Sequence, residues 1–142
     1  MRFPPDLGSP LRLVMDGRLE SVARAGYAVR EFALAAGLDA TAAGDLELAT
    51  VEAANNIIEH GFAGAELTGY RVAVARRHGE VQVMLSDAGA AIPSAALTAT
   101  YSWDSDPDAS RGLAIIRACV DRFEYRRRGA RNCLLIGKIL PL

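Results

Sequence analysis

Three side chains capable of chemistry, Glu52, Asn56 and His60, recur at intervals of four residues in one short segment. On an α-helix, positions i, i+4 and i+8 lie along one stripe, so the carboxylate, the carboxamide and the imidazole would share a face. Groups of these types can move a proton, ligate a metal ion or orient a substrate. An ordinary solvated helix face is the alternative, and the spacing alone does not decide between the two.

An apolar stripe runs beside this polar one, and the same helix would turn it toward a core. Its members are Leu46, Ala49, Ala53 and Ile57. A polar stripe next to a buried face lies at the edge of a cavity, where an unpaired neutral polar group costs about 1–3 kcal/mol. We therefore expect the three polar side chains to have partners or a ligand.

Two further motifs follow along the chain. Asp87 comes directly after the apolar run Val81–Leu85, and Gly89 permits a positive φ or a close backbone approach, so a strand end could present a carboxylate to a ligand. The second motif is the predicted helix start Ser110-Arg111-Gly112-Leu113, where backbone N–H groups and the positive dipole end suit phosphate. Taken singly, an ordinary turn and an ordinary helix start explain both.

The remaining pattern predicts the elements that must position these residues. They are a strand Leu11–Met15, a helix from Leu19 to about Ala36 that Gly37 ends, a helix from an N-cap at Asp39 through His60 to Gly61, strands Tyr70–Arg76 and Glu80–Ser86 around a turn at His78-Gly79, a helix Leu113–Val120, and a hairpin of Phe123–Arg128 and Asn132–Leu140. A loop as long as the one between residues 88 and 111 is usually functional or mobile. The order of elements predicts an α+β two-layer sandwich, with a mixed, mainly antiparallel sheet and helices on one face.

Composition narrows the class of protein. A chain of 142 residues that is 51% hydrophobic is expected to form a single domain, residues 1–142, and its net charge of -1 argues against direct nucleic-acid binding. No stretch approaches about 18 consecutive apolar residues and no signal-peptide pattern is present, so a cytoplasmic protein without a membrane partner is expected. Cys119 and Cys133 lie in apolar runs without His or Cys at ligand spacing, which favours buried thiols over a zinc site.

In their order and separation, the three motifs resemble those of the GHKL ATPase superfamily, whose Bergerat nucleotide-binding fold occurs in gyrases and histidine kinases. The short chain, the strand before the first helix and the pattern Glu52-x-x-x-Asn56-x-x-x-His60-Gly61 are most similar to the anti-sigma factor serine/threonine kinases of bacterial partner-switching systems. The resemblance extends from about Leu11 to Leu140. It implies ATP and Mg²⁺ as cofactors.

The resemblance also implies a role for each matching residue. Asn56 would ligate Mg²⁺ through its amide oxygen, as a hard ligand for a hard cation. Glu52 would be the catalytic base that takes a proton from an attacking hydroxyl or orients it. His60 would support the site. Asp87 would accept a hydrogen bond from the adenine amino group, and Gly89 would let the backbone approach the base.

Around the phosphates, the resemblance implies that Gly112 lies where a lid meets the helix, followed by Leu113, and that Arg111 could reach a γ-phosphate. Two positions depart from the family pattern: Ala91 replaces the second glycine of Asp-x-Gly-x-Gly, and Ser110 replaces the first glycine of Gly-x-Gly. A positive φ at Ala91 would cost about 1 kcal/mol or somewhat more. The hydroxyl of Ser110 could itself bind phosphate or cap the helix.

The implied function is an ATP-dependent kinase that phosphorylates a serine of an anti-anti-sigma protein, sequesters a sigma factor, and forms a homodimer. The alternative is a nucleotide-binding regulatory module with little or no kinase activity, because the two substituted glycine positions would limit turnover. A detached ATPase domain of a two-component histidine kinase is less favoured, since the sequence shows no dimerisation helix with a phospho-accepting histidine.

Two further features could contact partners. A basic run surrounds the predicted hairpin, and a solvated tip is favoured there over a docking patch for an acidic protein. Its members are Arg122, Arg126, Arg127, Arg128 and Arg131. Trp103 lies in a polar loop, where it could contact a partner or fold back onto the core.

Overall fold

A computed structural model describes residues 10–61, 69–98 and 108–142 of the chain. In this part of the chain, five strands form one sheet in the order β1-β2-β3-β5-β4. The strands are β1 (Leu11–Met15), β2 (Tyr70–Arg77), β3 (Glu80–Asp87), β4 (Arg122–Arg128) and β5 (Arg131–Ile139). The helices are α1 (Leu19–Ala36), α2 (Ala40–Asn56), a short α3 (Ser94–Thr98) and α4 (Asp108–Cys119), and a π-helical turn (Ile57–Gly61) continues α2.

The sheet and helices form two layers. Alternate residues of β3, namely Val81, Val83 and Leu85, point toward the helices and are at most 1% exposed. They share one hydrophobic core with Leu46 and Ala49 of the predicted apolar stripe of α2. The predicted α+β sandwich is therefore confirmed, although each of the four strand pairings is antiparallel and the sheet is not mixed.

Local signals set the ends of the first two helices where the sequence predicts them. Gly37 ends α1 in the left-handed conformation, with φ of 114°, and its N–H bonds back to the last turn. Asp39 begins α2 by accepting a hydrogen bond from the N–H of Ala42 at 2.8 Å. These caps fix the direction in which α2 leaves the connection, and so the direction of the stripe that carries Glu52 and Asn56.

Two helix predictions need correction. The α-helical geometry of α2 ends at Asn56, and the next five residues form the π-helical turn. His60 therefore lies in the π-helical turn and not in the α-helix that carries Glu52 and Asn56. Helix α4 begins at Asp108 and not at Ser110, since an aspartate is as suitable a helix start as a serine. The prediction for Trp103 concerns a residue outside the described part of the chain.

The two cysteines are free thiols, with Cys119 buried and Cys133 half-buried. Burial raises the pKa of both thiols above the ordinary cysteine value. Because the thiolate is the reactive form, both side chains are suited to packing and not to nucleophilic chemistry.

Helix α1 packs tightly against α2 at Gly26. A Cβ added there would lie 2.7 Å from Cγ2 of Val51 and 3.3 Å from Cγ of Glu47. We expect Gly26→Ala to lower the free energy of unfolding by about 1–3 kcal/mol, because the helices would have to separate. Gly44→Ala is the matched control: nothing lies within 4 Å of a Cβ at that position of α2.

The control substitution should raise the free energy of unfolding by up to about 1 kcal/mol, because alanine is the better helix former. Urea unfolding followed by circular dichroism measures both variants. Equal stability of the Gly26→Ala variant and the wild type would contradict the tight contact between the two helices.

Candidate nucleotide-binding site

A cavity of about 340 Å³ opens between the sheet and the helices, beside the end of α2. Its apolar wall includes Ala53, Ile57, Leu85, Ile92, Ile116 and Leu134. Its polar groups are Asn56, His60, Asp87, Tyr125 and Asn132. A concave, mainly apolar pocket with a few convergent polar groups is the usual form of a small-molecule site.

Five residues predicted from the sequence meet in the wall of this one cavity. They are Asn56, His60, Asp87, Ala91 and Leu113. These residues come from four separate segments, namely the end of α2 with its π-helical turn, the end of β3, the loop that follows it, and α4. The fold therefore brings together the helix motif, the Asp-x-Gly motif and the end of the third motif.

The other predicted residues lie around the cavity and not in its wall. Glu52 is half-buried, one helical turn before Asn56. Gly89 lies in the loop after β3, where it bonds to Asp87. Arg111 is exposed on α4, and Gly112 is buried beside it. The side chain of Ser110 lies outside the part of the chain that is described.

Asp87 is held at the end of β3 and is only 6% exposed. Its Oδ1 accepts a hydrogen bond from the N–H of Gly89 at 2.8 Å and another from Nδ2 of Asn132 at 3.0 Å. Both hydrogen bonds that Asp87 accepts from described residues end at Oδ1, so Oδ2 is the oxygen left for a ligand in the cavity. A hydrogen-bond donor on that ligand would satisfy it.

The loop after Asp87 carries no backbone strain at the substituted position. Among the described residues, His78 is the non-glycine residue with a positive φ, and the positive-φ glycines are Gly37, Gly69, Gly79 and Gly129. Neither Gly89 nor Ala91 adopts a positive φ, so the penalty considered for an alanine at position 91 does not arise. Gly89 contributes its N–H to Asp87 instead of an unusual conformation.

Gly112 makes room for Asn56. A Cβ at position 112 would lie 2.8 Å from Oδ1 and 2.9 Å from Nδ2 of Asn56, closer than real Cβ contacts. The first four N–H groups of a helix lack partners within the helix. Gly112 is the fifth residue of α4, so its N–H is not one of these free groups. The structure therefore corrects the prediction that Gly112 opens the helix, and it shows that Gly112 packs directly against the amide of Asn56.

His60 contributes to the open side of the cavity. Its side chain is 44% exposed, and its Nε2 lies 3.9 Å from Oε2 of Glu59. An exposed pair at that distance contributes little to stability. The predicted supporting role of His60 stays a prediction.

The described part of the chain contains no cluster of three His, Cys, Asp or Glu side chains that could hold a metal ion. Among the described residues of the cavity wall, Asn56 offers an amide oxygen that could ligate Mg²⁺ together with oxygens of a ligand. This division fits magnesium, which usually binds one or two protein groups together with phosphates and water.

Sequence reasoning missed three residues that build the site from the closing hairpin. Asn132 of β5 and Tyr125 of β4 line the cavity, and Nη1 of Arg127 donates to the carbonyl of Gly89 at 3.0 Å. Arg127 is exposed, as a solvated tip predicts, and it also bonds to Gly89. For Arg122 the solvated tip is wrong, because its Nη2 lies 2.8 Å from Oε2 of Glu80. A signal existed: strand alternation places a polar residue at position 132 on the inward face of β5, beside Leu134.

Comparison with known proteins decides the family. A sequence model of the histidine kinase-like ATPase domain matches residues 15–138. The chain belongs to the histidine kinase-like ATPase domain family. Membership implies that ATP is the nucleotide bound, and it makes the chain a domain of the kinase or ATPase type.

Solved structures show the same fold. The crystal structure of the RsbU and RsbW domains of Rv1364c from Mycobacterium tuberculosis aligns with a TM-score of 0.69 and 22% identity, over 94% of this chain and 33% of that one. The histidine kinase domain of the EL346 blue-light activated histidine kinase from Erythrobacter litoralis aligns with a TM-score of 0.54 and 19% identity, over 86% of this chain and 60% of that one. This chain thus spans less than two thirds of either structure.

A search of curated proteins found no match to this chain. Within the described residues, none of the helices combines the length and the apolar character needed to cross a membrane.

Proposed function

We propose that this ATPase-family domain binds Mg-ATP in the cavity beside α2. The observation that carries the proposal is that Asp87 and Asn56 lie in the wall of one mainly apolar cavity. The apolar wall suits a purine ring, Oδ2 of Asp87 suits the adenine amino group, and the amide oxygen of Asn56 suits Mg²⁺ on the phosphates. When bound, the metal ion would neutralise charge on the phosphates.

The phosphates would extend toward the start of α4. The first N–H groups of this helix and its positive dipole end favour anions, and exposed Arg111 can donate charge-assisted hydrogen bonds from the same region. The family motif has its first glycine at position 110, where this chain has a serine.

The proposed reaction is phosphoryl transfer to a serine or threonine of an anti-anti-sigma protein, coupled to sequestration of a sigma factor. The Glu52, Asn56 and His60 pattern supports this proposal, and so does the fold similarity to a structure that contains an RsbW domain. Glu52 is half-buried one turn before Asn56, so it lies near the end of the cavity where the phosphates would be. A homodimer in the cytoplasm, with both protein partners, belongs to the same proposal.

Phosphoryl transfer tests the role of Glu52. With Mg-ATP and a purified anti-anti-sigma protein, Glu52→Ala should lower the rate of transfer by about 100-fold or more, because a positioned base contributes 10²–10⁴-fold. The affinity for ATP should change little, since Glu52 lies outside the cavity wall. Radiolabelled phosphate on the partner measures the first quantity, and calorimetry measures the second.

Glu47→Ala is the matched control for this experiment. Glu47 lies on the same helix, and its Oε1 is 3.9 Å from Nη1 of Arg30, away from the cavity. Its removal should leave the rate of transfer unchanged. Transfer by the Glu52→Ala variant at the wild-type rate would refute the assignment of Glu52 as the base.

The second candidate function is a nucleotide-binding regulatory module with little or no kinase activity. The position of Glu52 outside the cavity wall and the serine at position 110 favour it. Wild-type protein that binds Mg-ATP and its protein partner but transfers no phosphate would establish this function over the kinase.

A further inference from the structure

Asn132 lies at the centre of a hydrogen-bonded network beside the proposed ATP site. It is 4% exposed and stands opposite Asp87 in the pairing of β3 with β5. Its Nδ2 lies 3.0 Å from Oδ1 of Asp87, 3.1 Å from the carbonyl oxygen of Gly89 and 3.0 Å from that of Ala90. One side-chain amide thus bonds to the carboxylate of Asp87 and to the backbone carbonyls of Gly89 and Ala90.

The orientation of this amide is determined by its neighbours. Nη1 of Arg127 lies 2.8 Å from Oδ1 of Asn132, and a guanidinium group can only donate. The oxygen of the amide must therefore face Arg127, and its NH₂ group must face Asp87. The hydroxyl of Tyr125 donates to the same Oδ1 at 2.6 Å.

Tyr125 connects the same network to the far end of the loop. Its hydroxyl oxygen accepts a hydrogen bond from the N–H of Ile92 at 3.0 Å. Because that backbone N–H can only donate, the hydroxyl hydrogen is directed at Asn132. Gly89, Ala90 and Ile92 are therefore all tied to the hairpin, although the loop lacks the second glycine of the family motif.

We propose that Asn132, oriented by Arg127 and Tyr125, is a positioning residue for the adenine contact of Asp87. By donating to Oδ1, Asn132 holds the carboxylate with Oδ2 directed at the 6-amino group of the base. This inference rests on the proposed ATP site. In this chain the closing hairpin acts as the support of the base-recognition loop, which remains in place with alanine at position 91.

The test compares two nucleotides in two proteins. ATP carries the 6-amino group, and purine riboside triphosphate lacks it, so the ratio of their dissociation constants reports the contact with Asp87. Wild-type protein with Mg²⁺ should prefer ATP by about 10-fold or more, as expected for a hydrogen bond to a charged group. In Asn132→Ala, the preference should fall to within about 3-fold of unity, since the carboxylate loses its orienting donor.

A purely structural role gives a different result. If Asn132 only stabilised the fold, its removal would weaken both nucleotides by the same factor and leave the preference for ATP unchanged. That outcome overturns the inference and leaves the proposed ATP site intact. Wild-type protein that binds both nucleotides equally, or neither, overturns the proposed adenine contact and the inference together.

Arg127→Ala keeps the inference testable if Asn132→Ala does not fold. Arg127 is an exposed side chain, and its loss removes one of the two donors to Oδ1 of Asn132 and the bond to the carbonyl of Gly89, so the amide of Asn132 would be held less firmly. The preference for ATP should decrease by about 3-fold or more, whereas Arg128→Ala, one residue further along β4 on the opposite face of the strand, should not change it. An unchanged preference in Arg127→Ala would overturn the inference.

Discussion

Replacing Asp87 with asparagine should weaken the binding of ATP by at least about 100-fold, which corresponds to about 2.7 kcal/mol. Oδ1 of Asp87 accepts from Gly89 and from Asn132, and an asparagine oxygen at the same place can accept both bonds. The amide NH₂ group of the new side chain would then point into the cavity and face the adenine amino group. Two donors would meet where a charged acceptor met a donor, which loses a bond of about 1.5–3 kcal/mol.

The same substitution should reverse the choice of base. Inosine triphosphate carries a carbonyl oxygen at position 6, and this oxygen can accept from the new amide. We expect Asp87→Asn to bind inosine triphosphate more tightly than ATP, in calorimetric titrations with Mg²⁺. Asp45→Asn is the control, because Asp45 pairs with Lys138 at 3.2 Å outside the cavity wall. An unchanged affinity of Asp87→Asn for ATP would remove Asp87 from the site.

Much of the fold could be predicted from the sequence because its signals are local. Gly37 at a helix end, Asp39 at a helix start and the turn at Gly79 each act through the conformation or hydrogen bond of one residue. The hairpin of β4 and β5 has a similar local signal in Gly129, which adopts a φ of 57°. Such features need no knowledge of the rest of the chain, so their positions agree with the structure to within a few residues.

The contribution of the hairpin to the site could not be predicted in the same way. Asn132 reaches Asp87 because β3 and β5 pair with these two residues opposite each other, 45 positions apart in the chain. That register follows from the packing of the whole sheet and not from any short pattern. The contact of Arg127 with the loop could not be predicted for the same reason, since its acceptor, the carbonyl of Gly89, lies 38 positions away.

The π-helical turn at the end of α2 could not be predicted from the sequence either. Its residues, Ile57–Gly61, continue the apolar and polar pattern of a helix, and the pattern does not distinguish an α-helical turn from a π-helical one. The turn carries His60, which lines the same cavity as Asn56. Turns of this type occur frequently at functional sites.

Replacing Gly112 with alanine should abolish the dependence of ATP affinity on Mg²⁺ without unfolding the protein. A Cβ at this position would lie 2.8 Å from Oδ1, 2.9 Å from Nδ2 and 3.2 Å from Cγ of Asn56. The amide must turn away, and its oxygen would leave the place from which it can ligate a metal ion. Loss of a group that orients a metal ligand typically costs about 10- to 100-fold in metal affinity.

The free energy of unfolding of Gly112→Ala should be equal to that of the wild type or higher, although its Mg²⁺-dependent affinity for ATP falls. Alanine inside a helix is favoured over glycine by about 1 kcal/mol, which offsets the displacement of one side chain. Calorimetry with ATP, in Mg²⁺ and in EDTA, should therefore show wild type and Gly112→Ala binding alike without the metal and differing with it. Urea unfolding checks that the variant remains folded.

A double-mutant cycle identifies Asn56 as the cause. If Gly112→Ala acts by displacing Asn56, it should have no further effect on Mg²⁺-dependent binding in a protein that already carries Asn56→Ala, because contacting residues are not additive. Independent, additive losses would show that Gly112 contacts the nucleotide itself, as the family pattern implies. Retention of the full Mg²⁺ dependence in Gly112→Ala would show that the amide of Asn56 does not hold the metal.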